Sequence, residues 1–223
     1  MSVAPQLPGL TAPAASRADL AYEFVCDRLV MLDIRPGEPI DDDAIAQELA
    51  TGRTPVREAL KRLEGDRLVV AYPRRGTFAT AVDITDLAHI SEIRAELEPL
   101  AAARAARHAG SETRAYLAAL AAEIAGLDTA TVDRREMLRR DVGVHRGIYR
   151  AAGNPHLEDI LVRQDNLATR IWCLFLDRLP GLAGHVGEHV ALLEAIVDGD
   201  AEAAARLALE HVVGFERAVR QVV

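Results

Sequence analysis

Aromatic residues make up only 4% of this 223-residue chain, so large rings cannot dominate its core. Alanine and leucine abound instead, which points to closely packed helices. Cysteine is scarce as well. Cys26 and Cys173 both fall in apolar helical patterns and read as buried free thiols of a reducing, cytoplasmic compartment. No stretch of about 18 uncharged apolar residues exists, which leaves no candidate for a membrane-spanning helix. The opening "MSVAPQLPGLTAPAAS" lacks both the basic start and the hydrophobic core of a secretory signal. Its prolines and small residues read as a flexible arm over residues 1–16. Positive charge is in deficit: 26 Lys and Arg stand against 34 Asp and Glu, a formal net charge of −8. That balance argues against indiscriminate coating of nucleic acid.

What is present fits a folded chain of one large or two modest domains, with 50% hydrophobic and 27% charged residues. The scarce positive charge is concentrated. Between residues 51 and 82, Arg53, Arg57, Lys61, Arg62, Arg67, Arg74 and Arg75 face only Glu58, Glu64 and Asp66, giving 7 − 3 = +4. In "RTPVREALKRLE", Val56, Ala59, Leu60 and Leu63 recur at helical spacing, while Arg53, Arg57 and Lys61 recur every four residues on another face. Thr54 is placed to cap this helix and Pro55 to occupy its first position. One face is apolar and the other suits a polyanion, although a basic outer face is also common on ordinary solvated helices.

The surroundings sharpen the reading. A first helix is expected over about 17–32, and "RPGEPI" breaks it. A second helix opens on Asp41 to Asp43, where the helix dipole favours negative charge. The short turn "ATG" leads into the basic helix, so the two form a helix-turn-helix. Strands over 68–71 and 77–82 then pair around "YPRRG", placing Arg74 and Arg75 at the tip and Gly76 where positive φ is needed. A helix-turn-helix followed by a basic-tipped hairpin is a winged helix, here residues 17–82. Residues 83–223 show no strand pattern. Helices near 84–108, 112–127, 133–152, 156–178, 182–197 and 200–221 predict an all-α bundle, so the fold class is mainly α with one small β-hairpin.

Two features of the helical half carry chemistry. Asp141 and His145 lie four apart and share a helix face, which is half a metal site or else an aspartate–histidine hydrogen bond. His189 and His211 sit on two later helices, and His185 with His189 forms another pair that spacing leaves open. Arg94 lies between Ile90 and Leu97 on an apolar face, turned inward where an unpaired guanidinium is costly. Glu98 could satisfy it four residues on, or an anionic ligand could meet its planar fork.

The run "RTPVREALKRLE…LVVAYPRRGTF" resembles the DNA-binding signature of the GntR superfamily of bacterial transcription regulators. "EIRAELEPLAAARAA", "DVGVHRGIYRAAGNPHL" and "EHVALLEAIVDGDAEAAARLALEH" are similar to the effector-binding FCD domain of its FadR subfamily. The resemblance implies a homodimeric repressor on an inverted-repeat, double-stranded operator. Arg53, Thr54, Arg57 and Lys61 would then lie on the recognition helix, with Arg75 and Gly76 at the wing tip. It further implies a divalent metal (zinc, nickel, manganese or iron) on Asp141, His145, His189 and His211, leaving His89, His108, His156 and His185 outside the set. A small organic acid would lie beside the metal, met by Arg94 and, as weaker candidates, Asn166 and Arg170. The sequence departs from the family at Ala50 and Gly52, in the turn, and at Arg67, where a glycine usually ends the recognition helix. Two rival readings remain. A metal-dependent hydrolase would leave the winged helix unexplained and lacks an evident general base. A dimerisation scaffold with a structural metal would lack the effector.

Overall fold

The computed structural model describes residues 15–128, 131–179 and 181–223. All but Ala15 and Ser16 of the expected N-terminal arm lie outside the described residues, as do parts of two expected breaks, at residues 129–130 and 180. The chain forms two compact units. One holds the described residues of Thr11–Ile84 together with Thr169–Leu174, and the other holds Thr85–Ala168 and Phe175–Val223.

In the first unit, α1 (Arg17–Val30) starts at a capping box: the Ser16 side chain accepts from Asp19 N, and the Asp19 carboxylate accepts from Ser16 N. α2 (Asp42–Glu48) is capped by Asp41, whose carboxylate accepts from the amides of Asp43 and Ala44. α3 (Arg53–Gly65) buries Val56, Ala59, Leu60 and Leu63, the stripe expected from spacing, and packs on α1 and α2. Its start differs from expectation. Gly52 is the N-cap and no side chain caps the helix, so Thr54 and Pro55 are the second and third helical residues. Pro55 still costs nothing, because amides of the first turn have no intrahelical acceptor.

The wing pairs β1 (Val69–Tyr72) with β2 (Gly76–Ala79) antiparallel, Val69 opposite Ala79 and Tyr72 opposite Gly76. The second strand is shorter than expected. The "RPGEPI" segment lies along its outer edge: Ile40 N donates to Thr77 O at 2.8 Å and Ala79 N to Glu38 O at 2.9 Å.

Of the three departures from the family pattern, Ala50 and Arg67 fall on left-handed backbone, whereas Gly52 is extended at φ −86°. Ala50 has φ 47° and Arg67 φ 62°. Each follows a helix C-cap and closes it with paired bonds, Thr51 N to Ala46 O after α2 and Leu68 N to Leu63 O after α3. A Cβ is strained in this conformation, so Arg67→Gly should stabilise the chain by about 0.5–1 kcal/mol after the entropy of the unfolded glycine is subtracted. A higher urea midpoint at unchanged slope is expected. An unchanged or lower midpoint would show that Arg67 makes contacts worth more than its strain.

Among its described residues the second unit holds helices and their connections: α4 (Asp86–His108), α5 (Ser111–Ala125), α6 (Arg134–Ala151), α7 (Pro155–Phe175, whose Thr169–Leu174 belong to the first unit), α8 (Leu182–Asp198) and α9 (Ala201–Arg220). Caps match local chemistry at Asp133, Asn154 and Asp200, each accepting from first-turn amides. α4 packs against α9, α6 and α8, while α5 packs against α8 and α6. Alanines make the close approaches possible, since Ala101, Ala102, Ala105 and Ala106 of α4 are all fully buried. Arg114 of α5 ties three helices at one end, donating to Ala106 O of α4, to Ala109 O just beyond it and to Ile196 O of α8.

Candidate metal centre and nucleic-acid interface

On the first unit Arg53, Thr54, Arg57, Lys61, Arg75 and Gly76 are all exposed. Arg57, Lys61 and Gly76 line one groove of about 380 Å³ between α3 and the wing. The tip turns at Pro73 and Arg74, with Arg75 N donating to Tyr72 O, and Gly76 takes φ 95°. Not every basic residue of the run points there. Arg62 pairs with Asp19 at 2.7 Å and lies over the Tyr22 ring, so it faces α1.

Sequence spacing did not reveal that Asp42 and Asp43 reach across to α3. Arg57 Nε donates to Asp42 Oδ2 at 2.8 Å, and Arg53 Nε lies 2.7 Å from Asp43 Oδ1. The hydrogen bond from Arg57, with the nearby Arg53 charge, holds the Asp42 carboxyl below its ordinary range. These exposed pairs contribute at most about 1 kcal/mol and can exchange for a phosphate or a base edge.

In the helical unit, residues from five helices converge. Asp141 and His145 come from α6, His189 from α8, His211 from α9, Arg94 and Glu98 from α4, and Asp165 from α7. Asp141, His145, His189 and His211 are each no more than 3% exposed. One ligand atom from each lies within 4.8 Å of those from the other three. Hydrogen bonding does not account for this cluster. His145 Nε2 stands 3.8 Å from Asp141 Oδ2 and His189 Nδ1 stands 3.5 Å from Asp141 Oδ1, too long for strong bonds. Asp141 Oδ1, both ring nitrogens of His189 and His211 Nε2 are buried without a hydrogen-bond partner. Orphaned polar atoms of this kind are expensive, and a shared cation would take one lone pair each from Asp141, His189 and His211.

Electrostatics point the same way. Burial lowers the His145 imidazole to about 3, and burial with neighbouring histidines holds His189 and His211 well below their ordinary value. All three therefore offer neutral, metal-ready rings at pH 7. Burial, then the Asp165 carboxylate, pushes the Asp141 carboxyl well up. Burial raises the Asp165 carboxyl too, so both acids resist ionising in the metal-free cluster and a bound cation would favour their charged forms.

Arg94 is fully inward. Its Nε donates to Glu98 Oε1 at 2.5 Å, and its Nη2 lies 3.7 Å from Asp165 Oδ1. Burial opposes its charge, but Glu98, Tyr149 and Asp165 outweigh burial and raise its pKa above the ordinary value. Glu98 also accepts from the Tyr149 hydroxyl at 2.9 Å, and that hydroxyl lies 3.2 Å from His145 Nδ1. Arg94 thus joins the histidine cluster through Glu98 and Tyr149. The other two expected effector residues have protein partners. Asn166 Oδ1 accepts from Arg146. Arg170 donates to Thr80 Oγ1 at 2.6 Å and to Thr80 O at 2.7 Å, beside the wing. Cys26 is buried as expected, whereas Cys173 is partly exposed.

Sequence reading missed Tyr149, Asp165 and Glu188. Glu188 Oε2 lies 3.0 Å from His211 Nδ1. Tyr149 lies four residues after His145 on α6, so spacing offered that signal, whereas Asp165 meets Arg94 from another helix, which spacing cannot supply.

Residues 18–79 match the family model described as bacterial regulatory proteins, gntR family, and residues 89–214 match the FCD domain. The chain belongs to the gntR family of bacterial transcription regulators, in the FadR-like branch that carries an FCD domain. It is 27% identical over 184 residues to the Nta operon transcriptional regulator of Aminobacter aminovorans, covering 82% of this chain and 85% of that one. It is 24% identical over 208 residues to the galactonate operon transcriptional repressor of Escherichia coli, covering 84% and 90%. The solved structure of E. coli McbR/YncC shares the fold with a TM-score of 0.80 at 21% identity, covering 92% and 98%. These curated relatives are regulators rather than enzymes, and the hydrolase reading is set aside. The gntR winged helix binds DNA and the FCD domain binds effector. Among the described residues no helix is long and apolar enough to cross a membrane.

Proposed function

We propose that the chain is a homodimeric repressor whose affinity for an inverted-repeat operator changes when a small organic acid binds beside a divalent metal. Asp141, His145, His189 and His211 would hold the metal. The observation that carries this is the convergence of partnerless, buried nitrogen and oxygen atoms from Asp141, His189 and His211 beside His145. The metal would supply a fixed positive charge for a carboxylate, and Arg94 a second one from α4. A relative named as repressor of a galactonate operon supports both the sign of regulation and the acid class.

On the DNA side, Arg53, Thr54, Arg57 and Lys61 would meet the major groove, and Arg75 with Gly76 the adjacent minor groove. A bidentate arginine suits guanine O6 and N7. A two-fold protein matches an inverted repeat. Arg57→Ala should weaken specific binding by about 1–3 kcal/mol and leave unfolding unchanged, because its partner Asp42 is part-exposed. Fluorescence anisotropy at matched salt checks this, and equal operator affinity would remove Arg57 from the interface.

The whole reading is tested by screening small carboxylates for thermal stabilisation of the metal-loaded protein, with the chain's own neighbouring promoter as the DNA probe. A stabilising acid that also shifts promoter affinity is expected. Stabilisation by metal alone, with no acid acting on either readout, would favour a dimerisation scaffold with a structural metal.

A further inference from the structure

We propose that His185, Glu188 and His211 form a second, outer metal position through which an ion reaches the buried set. The inference rests on the metal reading above and concerns how the ion gets in. The inner donors are essentially closed to solvent, with His189 at 0% and His145 at 1% exposure. An ion must shed its water in stages to reach them, and this needs ligands along the way.

Such ligands lie side by side. The Glu188 side chain is 52% exposed, and its Oε2 stands 3.3 Å from His185 Nδ1 and 3.0 Å from His211 Nδ1. One donor atom from each of the three lies within 4.8 Å of the other two. The His185 and His211 rings stack at 3.9 Å with 22° between planes, so both Nδ1 atoms face the same carboxylate. Two imidazoles and a carboxylate suit a first-row transition ion.

His211 belongs to both sets. Its Nδ1 faces Glu188, while its buried Nε2 has no hydrogen-bond partner. Its ring centre lies 4.2 Å from that of His189 and 5.2 Å from that of His145. A neutral imidazole offers one lone pair and carries its proton on the other nitrogen, so His211 serves one set at a time. The outer position is therefore occupied before the inner one. With the ion inside, Glu188 accepts from His211 Nδ1–H and keeps Nε2 aimed inward. That orienting role alone would give His185 no part, so His185 separates the two ideas.

The test uses metal-stripped full-length protein mixed rapidly with cobalt(II), read by its visible absorption band. Wild type should take up cobalt to a fixed content. His185→Ala should reach the same content and equilibrium affinity about tenfold more slowly, and Glu188→Gln, a half-exposed site safe for folding, should slow uptake too. Unchanged uptake rates in both variants would overturn the proposal. So would lower final content in His185→Ala, which would place His185 in the inner set. No cobalt uptake by wild type would be a different failure, that of the inner site itself.

Discussion

Arg94→Met is expected to destabilise the helical unit by about 3–5 kcal/mol, because it strands buried carboxylates that Arg94 now compensates. Glu98 is 3% exposed and Asp165 2%, so water cannot replace the guanidinium. Restoring neutrality should recover much of the loss: Arg94→Met combined with Glu98→Gln should be more stable than Arg94→Met alone. Urea unfolding of the three proteins gives the comparison, and a double variant no better than the single one would contradict the charge argument. The sensing role needs a gentler change. Arg94→Lys keeps the charge but loses the planar fork. Calorimetry with the acid that most stabilises wild type should show affinity down by at least about tenfold, as expected for a lost bidentate contact. Equal affinity would mean that Arg94 serves Glu98 and Asp165 only.

Metal removal should have the second largest effect. A ligand present about 100-fold above its Kd stabilises by about 2.7 kcal/mol, which in a unit of this size moves Tm by about 5–10 °C. Wild type treated with a chelator should fall by that amount. His189→Ala should start low, contain little metal, bind the acid weakly and ignore the chelator. A His189→Ala protein that still loses 5–10 °C on chelation would show that the ion sits elsewhere. Acid should release the metal as well. Protons compete for Asp141, whose carboxyl burial pushes up, so binding weakens as pH falls.

Much of this architecture was legible in the chain because local signals agreed. The α3 stripe, the "RPGEPI" break, the gap between the helices near 133–152 and 156–178 and the wing turn each depend on residues close together in the chain. The expected helix near 133–152 became Arg134–Ala151 with Asp133 as its cap. The errors came from cooperation beyond that range. Thr54 has good capping chemistry, yet the helix starts one residue after Gly52. Arg67 and Ala50 hold left-handed caps that a glycine would favour, because the flanking helices and strand fix where the chain must turn.

The candidate site divides along the same line. Asp141 with His145 shows in spacing, as does Arg94 with Glu98, because both pairs lie on one helix. The joining of Glu98 to Tyr149, of Asp42 to Arg57 and of Glu188 to His211 depends on how separate helices meet. Arg170 illustrates the limit. The resemblance offered it as a weaker contact to the acid, and it is buried, but it donates to Thr80 at the end of the wing.

Elemental analysis of protein purified without a histidine tag tests the central claim most directly. About one divalent ion per chain is expected, falling to near zero in His189→Ala and restored to wild type after chelation and reconstitution. Less than about a tenth of an ion per chain, both before and after reconstitution, would contradict the account and leave Asp141, His145, His189 and His211 as a polar cavity without a metal.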